Sequence, residues 1–286
     1  AAHDAWVQPY ASIVRVGQTA YVDLLLGNHS NEHRSYRIAG KLNPDDVRLL
    51  VYDPDGAEHS LNAAMFDAGE ADATPPAGPK GYLSAAFVPQ GPGIYVVAAL
   101  TDSVLQHGDE PPFRSLRSAK TVLAAADVPL LERVRDFGGY DRAVADDRLE
   151  IIPRTNLAAL TPGEEVVLEV RLEGEPAADQ TVSVIRRSTA EAVDLVTDAA
   201  GVVRFAPPAP DYYLARVKFD DTAARQEGRY DKTTYEATLA FIVQAEPQQP
   251  AAATGGAGGW SWLLGGVVLG GAGTWLLAGR RGAKPS

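Results

Sequence analysis

The sequence predicts an all-β protein, with two immunoglobulin-like or transthyretin-like β-sandwich domains followed by one C-terminal transmembrane helix. Many short segments alternate apolar and polar residues with the two-residue period of a half-buried strand. Gly, Pro and Asp clusters separate these segments at short intervals, which is typical of antiparallel sandwiches. Near the C-terminus, the 20 residues from Trp260 to Gly279 carry no charge. A helix of that length spans a bilayer.

The composition of the chain narrows the classes of function. The 286 residues include 26 Lys and Arg against 37 Asp and Glu, which gives a formal net charge of -11. The sequence has no basic stripe of the kind that a phosphate backbone requires, so we expect no nucleic acid partner. There is no cysteine, which rules out disulfides, thiolate metal sites and a cysteine nucleophile. Any bound metal ion must therefore be held by nitrogen and oxygen atoms.

The N-terminal β-rich domain is predicted over residues 1–137. Asp53-Pro-Asp-Gly56 and Gln90-Gly-Pro-Gly93 supply turns within it. Two segments near its end, Ala124–Ala126 and Leu130–Val134, are ambiguous and compatible with a short helix. The clearest strand candidates are Ser12–Val16, Tyr21–Leu26, Val47–Tyr52 and Gly93–Leu100.

A linker over residues 138–148 leads to the C-terminal β-sandwich domain, which is predicted over residues 149–244. In Val166–Leu172 every second side chain is apolar and charged residues occupy part of the other face, as in a half-buried strand. Asp198-Ala-Ala-Gly201 supplies a turn before the next strand candidate, Val202–Phe205. The alternation appears again from Tyr213 to Phe219.

The C-terminal segment is predicted to attach the protein to a membrane. Residues 245–259 are dominated by Pro, Gly, Ala and Gln, which predicts a disordered tether. The uncharged span 260–279 has tryptophans towards its ends and predicts a transmembrane helix whose partner is the lipid bilayer. Residues 280–286 include two arginines and a lysine, which the positive-inside rule assigns to a cytoplasmic basic tail.

We therefore expect an exported single-pass protein, with both β domains on the periplasmic or extracellular face of the cytoplasmic membrane. Ala1-Ala2 has the small residues of a signal peptidase site, so the chain is interpreted as a trimmed precursor. The glycines, short apolar span and terminal arginines also resemble a C-terminal sorting tail. Retention as an anchor and removal during surface anchoring both stay open.

The histidines point to the N-terminal domain as the place to seek a site. All five of them fall within the first 107 residues. His29 and His33 lie in Gly27-Asn-His-Ser-Asn-Glu-His33, a polar segment directly after an apolar strand. A loop that carries two imidazoles and a carboxylate suits a borderline metal ion.

His3 is the sharpest metal candidate. In Ala1-Ala2-His3, the terminal amine, two backbone amides and the imidazole can surround a copper or nickel ion with four nitrogens in a plane. If signal peptidase cuts after Ala2 instead, His3 becomes the terminal residue and chelates through its amine and ring nitrogen. Both alternatives predict a nitrogen-rich site.

The opening motif His3-Asp-Ala-Trp-Val-Gln-Pro9 resembles the His-Asp-Phe-Trp-Leu-x-Pro opening of the domain of unknown function (DUF) 4198 family, although Ala5 replaces an aromatic residue. That family comprises exported proteins associated with nickel and cobalt uptake. The resemblance implies a nickel or cobalt ion as ligand and components of a membrane metal transporter as partners. Further matches cover nearly the whole predicted ectodomain at Gly27–His29, Gly91–Val97, Leu149–Pro153, Leu160–Glu164, Gly174–Pro176, Thr197–Gly201 and Tyr212–Ala215.

Three functions follow from these patterns. The first is a metal-binding accessory protein for nickel, cobalt or copper, with His3 as the main ligand, His29 and His33 as further ligands and Trp6 as a packing wall. The second is a structural or interaction module of two β-sandwiches on a membrane stalk, with no metal role. The third, an oxidative copper enzyme, needs a second histidine facing His3. The sequence shows no catalytic motif. The paired carboxylates of Asp45-Asp46 are interpreted as a solvated turn. We therefore predict that the protein is not an enzyme.

Overall fold

A computed structural model describes residues 3–30, 33–40, 42–68 and 81–245 of the chain. In the described residues of the N-terminal half, the alternating segments form ten strands and two short 3-10 turns, Pro44–Asp46 and Asn62–Ala64. The strands are β1 (Asp4–Pro9), β2 (Ile13–Arg15), β3 (Ala20–Ser30), β4 (His33–Gly40), β5 (Val47–Tyr52), β6 (Glu58–Ser60), β7 (Met65–Asp67), β8 (Leu83–Phe87), β9 (Gly93–Leu105) and β10 (Phe113–Ala126).

The C-terminal half contributes eight strands, preceded by one helical turn, α1 (Leu131–Val134), and interrupted by a 3-10 turn at Leu157–Ala159. The strands are β11 (Leu149–Pro153), β12 (Val166–Leu172), β13 (Glu175–Pro176), β14 (Thr181–Arg186), β15 (Ala192–Val196), β16 (Val202–Phe205), β17 (Asp211–Asp221) and β18 (Thr233–Val243).

The described strands assemble into three sheets. A nine-stranded sheet runs in the order β15-β14-β17-β18-β10-β9-β5-β6, with β2 added beside β10. A five-stranded sheet runs in the order β1-β3-β8-β7, with β4 beside β3. A four-stranded sheet contains β11, β12, β13 and β16. The nine-stranded sheet is continuous across both halves because β10 and β18 pair in parallel.

The alternation along β10 shows how the sheets are layered. Ala119 and Leu123 join the core beneath the five-stranded sheet, together with Val7 and Leu24. Leu116 points to the opposite face of the strand and joins the core beneath the four-stranded sheet. The nine-stranded sheet is therefore the middle layer, and the two smaller sheets pack against opposite faces of it.

The predicted β-sandwich character is confirmed, and the predicted strands occur within one or two residues of their expected starts. The ambiguous alanine segment forms a strand and not the helix that was considered for it. Ala124–Ala126 is the buried end of strand β10, where it pairs with β2 and β9. Only Leu131–Val134 forms a helical turn.

The predicted division into domains 1–137 and 149–244 stays a prediction. Each half has its own core, since the core of the C-terminal half takes only Leu116 from outside that half. The two halves nevertheless share the nine-stranded sheet. A buried ion pair also bridges them, with Lys120 Nζ 2.6 Å from Glu150 Oε1.

The predicted tether, transmembrane helix and cytoplasmic tail fall on residues 246–286, apart from the first tether residue, and so lie outside the described residues. Within the described ranges, no helix has the length and apolar character needed to cross a membrane.

Candidate functional site

Strand β1 holds His3 at one end of the N-terminal sandwich. The strand pairs antiparallel with β3, and Asp4 lies opposite Gly27. Every second side chain of β1 faces the nine-stranded sheet, where Trp6 is completely buried against Leu25 and Leu214. Trp6 is therefore a core residue between β1 and the nine-stranded sheet. His3 itself is half-buried at the start of the strand.

A buried cluster of charged side chains lies beneath the start of β1. Arg216 Nε is 2.8 Å from Asp4 Oδ1. Asp4 belongs to the N-terminal half of the chain and Arg216 to the C-terminal half. The carboxylate of Glu236 accepts a hydrogen bond from the backbone N–H of Ala5 at 2.7 Å. Burial, followed by the nearby Glu236 carboxylate, raises the pKa of Asp4 to about 6.

Two basic side chains complete this cluster. Lys218 Nζ is 3.6 Å and Arg117 Nε is 3.5 Å from Glu236 Oε2. Arg117 also donates to the backbone carbonyl of His3 at 3.3 Å. The cluster therefore fixes the backbone on both sides of Asp4, and with it the position from which the His3 imidazole extends.

His3 lines a cavity of about 230 Å³ between the two sheets of the N-terminal half. The cavity also receives His107, from the connection between β9 and β10, and Asp46, from the 3-10 turn before β5. Arg117 also lines the cavity and contributes a positive charge. Two imidazoles and one carboxylate from three separate parts of the chain thus border one space.

Ser115 adds a buried hydroxyl to the lining of this cavity. Its side chain is buried and lines the cavity, yet within the described residues its hydroxyl has no hydrogen-bond partner. A buried hydroxyl without a partner costs on the order of 1–3 kcal/mol, so a polar occupant that bonds to it is favoured. Water, a hydrated metal ion or an anion meets that requirement.

His107 connects this cavity to a larger neighbour. The imidazole is exposed, and its ring centre lies 5.3 Å from that of Phe113. It also lines a second cavity of about 510 Å³, together with Lys218 and Lys232. A ligand of the smaller cavity can therefore be reached from solvent past His107.

The structure places the other predicted ligands only in part. The segment predicted as a loop around His29 and His33 is instead the end of the β3–β4 hairpin, where Ser30 pairs with His33. Strand β3 extends through this segment. Its polar end pairs with β4, with two register shifts along the pairing. His29 is two residues beyond Gly27, so its backbone lies at the same end of the sheet as His3. The side chains of His29 and His33 lie outside the described residues.

His59 is at a different place in the fold. It lies on the exposed edge strand β6, with its Nε2 3.2 Å from Asp53 Oδ2. Among the described side chains, no group of three or more His, Cys, Asp or Glu is close enough to hold one metal ion. The His3 cavity thus supplies a partial set of donors.

The chain matches a known protein family over most of its length. The family described as "Domain of unknown function (DUF4198)" matches residues 1–221. The chain belongs to this family. No curated protein matches the chain.

Several solved structures are similar to this DUF4198 protein. One is a DUF4785 family protein from Legionella pneumophila, with 11% identity, coverage of 74% of this chain and 51% of that one, and a TM-score of 0.26. Another is Salmonella alpha-2-macroglobulin reacted with methylamine, with 16% identity, coverage of 84% and 15%, and a TM-score of 0.25. A third is a two-domain fibronectin type III segment of chicken tenascin, with 9% identity, coverage of 85% and 99%, and a TM-score of 0.21. The chain spans only 51% and 15% of the first two proteins' lengths.

Three residues of the cavity could not be predicted from the sequence of this DUF4198 protein. His107 was counted among the histidines without a role, Asp46 was assigned to a solvated turn, and Ser115 was not singled out. They lie 104, 43 and 112 positions from His3 in the chain, so only the packing of the two sheets brings them together. The confinement of all histidines to the N-terminal half was the one sequence signal that pointed to His107.

Proposed function

We propose that this DUF4198 protein binds a transition metal ion outside the cytoplasm as cargo for uptake or homeostasis. The ion is nickel or cobalt, with copper as the alternative. The observation that carries the proposal is the shared cavity of His3 and His107, two imidazoles in a chain without thiolates. Imidazole is a good ligand for nickel and copper, and a carboxylate oxygen such as that of Asp46 is compatible with both.

In this proposal, each residue around the cavity has a stated role. His3 and His107 would supply nitrogen ligands, and Asp46 would act through a water molecule on the ion. The buried Ser115 hydroxyl would bond to a water molecule on the ion, which gives this hydroxyl a partner. The ionic cluster around Glu236 keeps the His3 backbone in one position, so little ordering is needed when the ion binds.

An incomplete donor set suits a cargo ion better than a structural one. A closed four-ligand site holds its metal ion tightly, whereas a site with open positions exchanges it more readily. Two imidazoles at the rim of an accessible cavity leave positions for water or for ligands of a receiving protein. We propose that components of a membrane metal transporter are that receiver, and that the segment 260–279 keeps the site near it in the bilayer.

Isothermal calorimetry on the full chain, purified without a histidine tag, tests the proposal. Nickel, cobalt and copper salts are titrated separately into the wild type, His3→Ala, His107→Ala and His59→Ala. Loss of one imidazole ligand is expected to weaken binding by about tenfold or more in the first two variants. His59→Ala is the matched control, because His59 is exposed and lies away from the cavity.

Equal and weak binding of all three ions by the wild type and His3→Ala would contradict the proposal. The alternative, an interaction module on a membrane stalk, would then be the better account. Loss of binding in His3→Ala but not in His107→Ala would assign the ion to His3 and the hairpin of His29 and His33, which the variants His29→Ala and His33→Ala then resolve.

A further inference from the structure

The cavity of about 510 Å³ beyond His107 lies over three adjacent strands of the nine-stranded sheet. Strands β17, β18 and β10 contribute Lys218, Thr234 and Phe113 to its lining. The connections that lead into β10 and β18 meet at its edge, where the backbone N–H of Asp231 donates to the carbonyl oxygen of Pro112 at 3.0 Å. The cavity is therefore bordered by two connections that are hydrogen-bonded to each other.

Lys218 brings a mostly buried ammonium group to the floor of this cavity. Its side chain is 17% exposed, and Glu236 Oε2 is 3.6 Å from Nζ, which is too long for a hydrogen bond. Nζ donates no hydrogen bond to any described residue. A mostly buried donor without an acceptor is unfavourable, so a ligand oxygen that accepts from Nζ is favoured.

The second ammonium group of the cavity already has protein partners. Lys232 Nζ donates to Asp220 Oδ2, and the Thr234 hydroxyl donates to the other oxygen of that carboxylate at 2.7 Å. Lys232 Nζ also lies over the ring of Phe113, 5.8 Å from its centre. These contacts form one wall of the cavity and leave Lys218 as the cation that can bind a carboxylate from outside.

Two carboxylates with the opposite charge lie at the mouth of the cavity. Glu110 belongs to the connection before β10 and Asp231 to the connection before β18, and both residues are exposed. Neither side chain forms an ion pair or a hydrogen bond with another described residue. The buried ring of Phe113 and the two prolines before it add an apolar surface to the lining.

This lining calls for a small ligand with a carboxylate, an ammonium group and an apolar part. A simple anion would meet Glu110 and Asp231 at the mouth, and a simple cation would meet Lys218 at the floor, so both are disfavoured. A volume of about 510 Å³ lies in the range of small-molecule sites. A free α-amino acid with an apolar side chain carries all three groups.

We infer that this cavity binds a free α-amino acid with an apolar side chain. The carboxylate of the amino acid accepts from Lys218 Nζ, and its ammonium group pairs with Glu110 and Asp231. Its side chain packs against Phe113. His107 lines this cavity as well as the His3 cavity, but the amino acid needs no metal ion, so the inference does not depend on the proposed function.

Calorimetry on the full chain, in a buffer with EDTA that removes metal ions, tests the inference. The probes are L-phenylalanine, 3-phenylpropionate, which lacks the ammonium group, and phenethylamine, which lacks the carboxylate. The wild type is expected to bind one L-phenylalanine per chain. Each analogue should bind about tenfold more weakly or worse, because it loses a hydrogen bond between charged groups.

Two sets of variants assign the charges to residues. Glu110→Gln with Asp231→Asn should weaken binding of L-phenylalanine but not of 3-phenylpropionate. The matched control is Asp109→Asn with Glu227→Gln, which changes exposed carboxylates in the same two connections that do not line the cavity. Lys218→Met should weaken binding of both carboxylate ligands by about tenfold or more and leave phenethylamine unaffected.

Three outcomes would overturn the inference. They are the absence of L-phenylalanine binding by the wild type, equal binding of the three probes, and binding of L-phenylalanine that is unchanged in both the Glu110/Asp231 double variant and Lys218→Met. Circular dichroism checks the folding of Lys218→Met, which removes a cation near Glu236. The double variant changes only exposed side chains and keeps the test decisive if Lys218→Met does not fold.

Discussion

The most completely buried cation of the described residues links the two halves of the protein. Lys120 on β10 is fully buried, and besides Glu150 it donates to the carbonyl oxygen of Arg142 at 3.0 Å. Glu150 also accepts hydrogen bonds from the backbone N–H groups of Val144 and Ala145, at 2.8 and 3.2 Å. Burial lowers the pKa of Lys120, because the charged ammonium loses its hydration. The pair is therefore sensitive to the loss of either partner.

Lys120→Met is predicted to lower the free energy of unfolding by about 3–5 kcal/mol, because it leaves the Glu150 carboxylate buried without a cation. The double variant Lys120→Met with Glu150→Gln should recover part of the loss, since it removes the unpaired buried charge and the amide oxygen still accepts from the backbone N–H of Val144. Arg48→Met, which removes an exposed pair with Glu58, should cost less than about 1 kcal/mol. Chemical denaturation measures all three, and equal losses for Lys120 and Arg48 would contradict the buried role.

Only part of the candidate metal site could be predicted from the sequence. His3 was identified because its chemistry is local, in a chain segment whose motif and spacing can be read directly. His107 and Asp46 carry no such local signal, and their approach to His3 depends on β1 pairing with β3 and packing over β9 and β10. Tertiary packing, which no short pattern encodes, decided which residues share the cavity.

Strand β10 explains why the alanine segment was ambiguous. Alanine has the highest helix propensity, yet Ala124 and Ala125 are completely buried between paired strands. A central strand covered on both faces needs small side chains where layers approach closely, and tertiary packing overrides a weak local preference. Strands with one polar, partly buried face, such as Val166–Leu172, kept a clear alternation and were predicted with their observed bounds.

Turns were predicted well where glycine is required by geometry. Gly201 ends the Asp198–Gly201 turn before β16, with a φ of +74° that L side chains rarely adopt. An added Cβ would also lie 2.5 Å from the carbonyl oxygen of Val170 in the paired strand. The turn residue thus lets two backbones approach closely.

Gly201→Ala is therefore predicted to destabilise the protein by clearly more than Gly228→Ala. Gly228 has nearly the same φ, +72°, but an added Cβ there meets nothing within 4 Å. At Gly228 the alanine costs only backbone strain, on the order of 1 kcal/mol. At Gly201 the added Cβ must also displace the paired strand, which raises the cost further. Thermal and chemical unfolding of the two variants give the comparison, and equal losses would show that the close contact with Val170 contributes nothing.

One shared sheet and hydrophobic clusters that contain residues of both halves make the two halves interdependent. The core of the C-terminal half contains residues of sheets on both of its sides, such as Leu168 and Leu239, and is nearly self-contained. Strand β18, however, has β17 on one side and β10 on the other. The sequence predicted two sandwiches from turn spacing, but the parallel β10–β18 pairing joins strands more than 100 residues apart and has no local signature.

Residues 149–244 are predicted to fold when they are expressed alone. Their own core should support a cooperative unfolding transition, but at a lower temperature than that of the full chain, because the fragment lacks β10. One edge of β18 then exposes its backbone N–H and C=O groups, and an open edge pairs with other chains, so association should rise with concentration. The buried Glu236 also loses its contacts with Arg117 and with the Ala5 N–H.

Circular dichroism melting, with sedimentation at several concentrations, tests this directly. Lys or Pro introduced at outward positions of the freed β18 edge should suppress the association without raising the melting temperature, since these residues block edge pairing but do not replace β10. Non-cooperative melting would show that the C-terminal half is not a domain. A melting temperature equal to that of the full chain would show instead that the shared sheet does not stabilise the C-terminal half.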